Sequence, residues 1–458
     1  MISEDKNALM PMRQRLVLGA LIAGLLVIGV LSVKRIVNGN ADLSGNYRIW
    51  RANLTEPTQP GRHMAADTGL QDPDSYLPVT YALFAPLATM PLPLLAAMWY
   101  VMNIACTVYL WRSLSSLLQE SSQSPSNRRI VTLAAVAVAP SWIGTVLIGQ
   151  HTLLQMSLIV AACRTDARSV WGSAKTGTLL AFAVVMKILP AVFYLPFLTR
   201  GNIRVLLVSA IVGCGLIFGL GSLYFGIEKN QEFHLRWLNF AIHGPESRRP
   251  DPRDPNTLRG SLRDKNQSIE AVLGRLTMNI PIHRRDPDAP QVNLTAVEAS
   301  TWRIMSASLV SVCLLVGIIA IVRSQRANDC RSSHPLETVT GDERTHPDSL
   351  MRLDSDLGRL AILSLTQLFI SPVIWSHYYV WLFFPLAFVL SEVRHGRSSG
   401  TWIYALWLIL LPALGSEHCR AIGVQLWVNL AIYVWICWPA LFPASIQHSG
   451  SAGPATGK

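Results

Sequence analysis

Long apolar runs separated by short polar islands dominate this chain. The runs cover residues 16–33, 92–114, 130–148, 203–225, 304–322, 360–370 with its neighbours, 379–390, 401–414 and 424–441. About 20 apolar residues in a helix cross a bilayer core, and most of these runs approach that length. Helix is the predicted state for each, because backbone polar groups in lipid must be satisfied within their own segment. Two stretches depart from the pattern. Residues 153–163 are short for a span, and residues 176–198 are interrupted in mid-run by Lys187 and Pro190. Proline removes a helical hydrogen bond, and a lysine in lipid is costly unless paired. The second stretch therefore reads as a hairpin of two short helices turning near Lys187 and Pro190.

Loop charge sets the expected orientation. Arg112, Arg128 and Arg129 mark one loop as cytoplasmic, Arg164, Arg168 and Lys175 the next but one, and Arg200 with Arg204 a third. The other loops then alternate: 226–302 outside, 323–358 inside, 371–377 outside, 394–397 inside and 416–420 outside. The loop 226–302 is rich in arginine, but loops beyond about 60 residues translocate largely regardless of charge. The expectation is an all-α polytopic membrane protein with one domain over residues 16–442. Residues 1–15 form a cytoplasmic N-terminus, and the polar tail 443–458 reads as disordered, as does much of 323–358. The first run lacks a small-residue cleavage site and reads as a retained helix.

Composition agrees. Half of the 458 residues are hydrophobic and only 15% are charged, too few charges to cover a soluble protein with this much apolar surface. The formal charge of +11 sits in loops without interleaved aromatics, which argues against a nucleic-acid partner and leaves membrane lipids as the surroundings. The seven cysteines are scattered, with no CxxC and no His/Cys spacing suited to zinc.

With this topology the unusual polar residues fall on the extracytoplasmic face. They are Asp42 just past the first run, Gly149-Gln150-His151, Lys187, Asn266-Gln267-Ser268 with Arg275, and the segment 371–377. One carboxylate, two imidazoles, amides and two cations on one face suggest a single cavity open to the outer leaflet. Each has a plainer reading beside it. Asp42 suits a helix cap as well as a general base. Lys187 can snorkel to the interface, Gly149-Gln150 can be an ordinary turn, and His377 an interfacial histidine. Trp375 fits an aromatic belt as well as a sugar platform, and Asn266-Gln267-Ser268 also fits a glycosylation sequon.

Read in order, the islands form a series. An Asp-Leu…Tyr element (Asp42, Leu43, Tyr47) is followed by a Tyr/Pro-rich stretch from Tyr76 to Tyr81 and by Trp99…Asn103. Then come Gly149-Gln150, Lys187-x-x-Pro190, Asn266-Gln267-Ser268…Arg275, and Ser371-Pro372…Trp375-x-His377. The series resembles glycosyltransferase family 87, the polyprenyl-phosphate-mannose-dependent mannosyltransferases of the GT-C superfamily, over residues 16–390. The chain departs from the family pattern at His151-Thr152, where the family often has Asn next-but-one after the Gly-Gln pair. It departs again at Tyr378, where the family has a second His.

The resemblance implies a GT-C-like bundle of about 10–12 transmembrane helices whose extracytoplasmic loops form the active site. It implies an inner (plasma) membrane location, a polyprenyl-phosphate sugar donor, a lipid or glycan acceptor hydroxyl, and transfer with inversion. Such chemistry needs a base for the acceptor proton and neutralisation of the departing phosphate. Asp42 is the expected base, and Lys187 and Arg275 the expected phosphate partners. His377 is open to either phosphate or acceptor. Gln150, Asn266 and Gln267 are expected to contact sugar hydroxyls, and Tyr47 and Trp375 complete the substrate-binding set. No cofactor is implied, and metal dependence is not readable. A lipid-linked-sugar transporter or flippase remains the other class, since it also carries intramembrane charge and broken helices. A GT-C enzyme with a pentose donor or protein acceptor is a third.

Overall fold

A computed structural model describes residues 12–55, 76–121, 126–243, 265–278, 292–333, 353–397 and 399–442. The N-terminus before residue 12, the tail from 443 and the loop stretches 244–264, 279–291 and 334–352 lie outside the described residues. The regular structure among the described residues is all helical. Helix α1 (Met12–Val37) is followed by α2 (Asp42–Thr55), α3 (Pro78–Phe84), α4 (Leu92–Ser121), α5 (Ser126–Ile148), α6 (Thr152–Cys163) and α7 (Val170–Met186). A 3-10 turn (Leu189–Tyr194) leads into α8 (Leu195–Thr199), then α9 (Ile203–Cys214), a π-turn (Gly215–Leu220), α10 (Gly221–Phe225) and α11 (Ile227–His243). The remainder comprises α12 (Ile269–Thr277), α13 (Ala299–Ser333), α14 (Asp356–Ile370), a 3-10 segment (Ser376–Leu382), α15 (Phe383–Arg394), α16 (Ser399–Leu410), a 3-10 turn (Leu411–Gly415), α17 (Glu417–Ala421) and α18 (Val424–Leu441).

Among the described residues, five helical stretches are long and apolar enough to cross a membrane alone: Leu92–Gln119, Asn127–Ile148, Ile203–Phe225, Ser300–Ala327 and Val424–Leu441. A sixth appears if Ile22–Val37 and Asp42–Arg51, bent by 46°, count as one broken span. The other expected crossings fall on shorter apolar helices, including α6, α7 and α16. Large apolar side chains point outward along these helices: Leu26, Ile211, Phe218, Ile304 and Ile409 are all more than half exposed. Water would not tolerate so broad an apolar surface, and lipid does. Helix α7 ends where the lysine and proline predict. Lys187 takes an extended backbone (φ −165°, ψ 129°), and Pro190 sits in the first turn of the 3-10 segment. Gly177 lets α7 pack tightly on α9, since a Cβ there would lie 2.7 Å from the Val205 carbonyl oxygen.

The bundle has two chemically different ends. At one end, arginines tie helix termini together. Arg200 pairs with Asp354 at 2.8 Å, Arg323 donates to the Ala440 carbonyl at 2.7 Å, Arg397 to the Trp435 carbonyl at 2.6 Å, and Arg394 to Asn127. At the other end the polar islands meet. Gln267 N–H donates to the Ile374 carbonyl and its side-chain amide to the Arg420 carbonyl, both at 2.8 Å. Thr145 donates to the His377 carbonyl at 3.1 Å. The site lies at this second end.

Candidate active site

Asp42 stands at the elbow between α1 and α2, opposite the turn that links α5 to α6. That turn requires glycine at 149 for two reasons. Its φ is +70°, where a side chain is strained, and a Cβ would meet the Leu43 Cβ at 2.6 Å. The close approach brings the next residue, Gln150, against the elbow, and its side-chain amide donates to the Asp42 carboxylate. The carboxylate is thus turned across to α6's entry.

Around this pair the other groups gather from distant segments. The Lys187 ammonium, at the end of α7, donates to the Tyr378 hydroxyl and lies 3.9 Å from the centre of that ring. It is 6.0 Å from the Tyr76 ring centre. Gln155 holds the Lys187 backbone in place by donating to the Ala183 carbonyl at 2.7 Å and the Lys187 carbonyl at 3.3 Å. Tyr76 stacks obliquely on His151, centroids 5.3 Å apart, and its hydroxyl meets the side chains of Gln150 and Asn46. His377 lies against Tyr378 at 4.5 Å, and its buried Nε2 has no hydrogen-bond partner among the described residues. Trp50, Phe84 and Trp99 wall the cluster with ring spacings of 5.4 and 5.7 Å, and Trp99 Nε1 donates to the Gln150 carbonyl at 3.4 Å.

Burial sets the charge states. It pushes the Asp42 carboxyl above its usual range, opposed by the Gln150 hydrogen bond and by the charges of Lys187 and Arg35. Burial also lowers Lys187 to about 7, with Asp42 working in the other direction. Burial and the Lys187 charge bring His151 and His377 to about 3, so both imidazoles are neutral near pH 7. A His377 bound to phosphate would thus act as a neutral hydrogen-bonding group.

Of the residues singled out from sequence, Asp42, Gln150, Lys187 and His377 come together. Arg275 has its guanidinium engaged with main chain. Its nitrogens donate to the carbonyls of Ala421 at 2.8 Å, Asn266 at 2.9 Å and Arg420 at 3.1 Å. It is 1% exposed, and it pins two loops together. Asn266 bonds to the Pro372 carbonyl at 3.1 Å and the Ile374 N–H at 2.9 Å, so with Gln267 it fixes the 371–377 segment that carries His377. Tyr47 donates to the Met90 carbonyl at 3.0 Å and holds α2 to the turn before α4. Trp375 packs partly buried on the main core, and its carbonyl accepts from Tyr378 N–H at 2.8 Å. The sequence pattern places His151 among the polar islands but assigns no site role to Tyr76, His151 or Tyr378. The available signal was Lys187 itself, since a cation beside a buried turn needs an acceptor, and His151 and Tyr378 directly follow residues already chosen. Among the described residues no group of three or more His, Cys, Asp or Glu side chains gathers as a metal site.

The family model for glycosyltransferase family 87 matches residues 75–334, more than half of the chain. The chain belongs to glycosyltransferase family 87. The matched span holds Tyr76, Gln150, His151, Lys187 and Arg275, with Asp42 before it and His377 and Tyr378 after it. A relative from Mycolicibacterium smegmatis (strain ATCC 700084 / mc(2)155) is 28% identical over 413 residues, covering 84% of this chain and 79% of its own. It is a polyprenol-phosphate-mannose-dependent alpha-(1-2)-phosphatidylinositol mannoside mannosyltransferase. The protein of the same description from Mycobacterium tuberculosis (strain ATCC 25618 / H37Rv) is 28% identical over 152 residues, 31% of this chain and 35% of its own. No solved structure matches the chain. This family 87 member is accordingly a multi-pass, glycosyltransferase-like membrane protein.

Proposed function

We propose that this protein transfers a hexose, mannose by analogy with its relatives, from a polyprenyl-phosphate carrier to a hydroxyl of a lipid or glycan acceptor, with inversion. The observation that carries this reading is the cluster of Asp42, Gln150 and Lys187 beside His377, whose Nε2 has no partner among the described residues. Asp42 accepts the acceptor's hydroxyl proton as that oxygen attacks the anomeric carbon. The bond from that carbon to the donor phosphate breaks, and its electron pair leaves on the phosphate. Lys187 neutralises the phosphate as its charge grows. Gln150 orients the carboxylate, and His377 is available to a substrate hydroxyl or phosphate oxygen. The aromatic wall of Tyr76, Phe84 and Trp99 offers a face to the sugar ring or the first prenyl units.

The arginines support a sidedness for this reading. Arg200, Arg323, Arg394 and Arg397 all cluster at the end opposite the site, and positive residues favour the cytoplasm. The reading is therefore an active site facing the extracytoplasmic leaflet. Purified protein reconstituted in sealed lipid vesicles, supplied with labelled polyprenyl-phosphate mannose and a membrane extract, should yield a new α-linked mannoside, the inverted outcome from a β-linked donor. Donor movement between leaflets without any glycosidic product would instead support a flippase.

A further inference from the structure

Tyr378 has a place in this site that the base and phosphate roles do not explain. Its side chain is 9% exposed, and its peptide is fixed by its own N–H on the Trp375 carbonyl and by Thr145 on the preceding carbonyl. The phenol is thus held before it meets any substrate. Its hydroxyl accepts from the Lys187 ammonium, which also lies over its ring. The groups facing Lys187 are Asp42 from α2, Tyr76 ahead of α3, His151 from the α5–α6 turn, and His377 with Tyr378. Of these, Asp42 carries the negative charge. A mobile lysine in a poorly hydrated site would close onto that carboxylate and occupy the lone pair a base must keep free. We propose that Tyr378 is a positioning residue that holds the Lys187 ammonium away from Asp42 and directs it at the donor's lipid phosphate. The assignment rests on the reading of Lys187 as the phosphate partner. Tyr378 takes one of the three ammonium hydrogens and leaves the others for phosphate oxygens. It also leaves its own O–H to donate to the same phosphate.

The test separates this role from the transfer reaction. Lys187 in the full-length, donor-free protein is acylated with a small amine reagent across pH and quantified by peptide mass spectrometry. In Tyr378→Phe the ammonium closes on Asp42, so the pH midpoint of labelling rises by about one unit. The rise disappears in Tyr378→Phe/Asp42→Asn, where no carboxylate remains to pair with. Tyr378→His, which keeps a ring acceptor, stays near the wild-type midpoint and serves as the control for folding. In the transfer assay Tyr378→Phe raises the donor KM about tenfold, the acceptor KM being unchanged. An unchanged or lowered midpoint in Tyr378→Phe overturns the positioning role whatever the enzyme's activity. A raised midpoint with an unaltered donor KM overturns the phosphate half of the proposal, and with it the role of Lys187 on which it rests.

Discussion

Two ionisable groups with opposite charge requirements act on each other within the site, and burial moves each toward neutrality. The Asp42 carboxyl is raised and the Lys187 ammonium is lowered to about 7. A carboxylate lifted toward neutral pH is a better base than an ordinary one, because it binds the abstracted proton more strongly. The cation behaves in the opposite sense. Free enzyme above about pH 7 loses the Lys187 charge, so kcat/KM for the donor should fall on the alkaline side from about that pH. A bound phosphate restores the charge, and the alkaline limb of kcat should lie at higher pH than that of kcat/KM. Coincident limbs in the two profiles would remove Lys187 from the donor site. His151 and His377 add no limb near neutrality, since both are held at about 3.

Helix ends, more than helices, build the site. The breaks are written in the sequence: Pro190 and Lys187 stop α7, and Gly149 makes the turn between α5 and α6. Their partners are not. Which carbonyl a buried arginine finds depends on which loops touch, and no local pattern connects Arg275 to Ala421, 146 positions away. A phosphate fork and a loop staple demand the same residue type, so sequence alone could not separate the two. They differ in test. As a staple, Arg275→Gln should cost about 3 kcal/mol through loss of charged hydrogen bonds to buried carbonyls, seen as a lower Tm, while the donor KM stays near wild type. A phosphate ligand would show the reverse, a raised donor KM at unchanged stability.

At the scale of the molecule, alternating loop charge and the order of the polar islands were enough to place Asp42, the 149–151 turn, Lys187 and the 371–377 segment at one end. The membrane makes this legible, because every apolar run must become a helix and every helix must reverse the chain's side. The same logic yields a sidedness prediction. Single cysteines replacing Asn46 near the site and Arg168 at the opposite end should label oppositely with an impermeant maleimide in intact cells: the first reacts, the second only after permeabilisation. Side-chain aim stayed hidden, and the packing of Tyr76 on His151 and of Lys187 on Tyr378 emerged only once helix ends from four parts of the chain were set against one another. In the proposed mechanism that assembly serves the removal of one proton by Asp42. Single-turnover transfer from labelled polyprenyl-phosphate mannose, comparing wild type with Asp42→Asn at matched donor occupancy, measures that step directly. The account predicts a rate lower by about 10²–10⁴ with donor binding retained; turnover within a few-fold of wild type would contradict it.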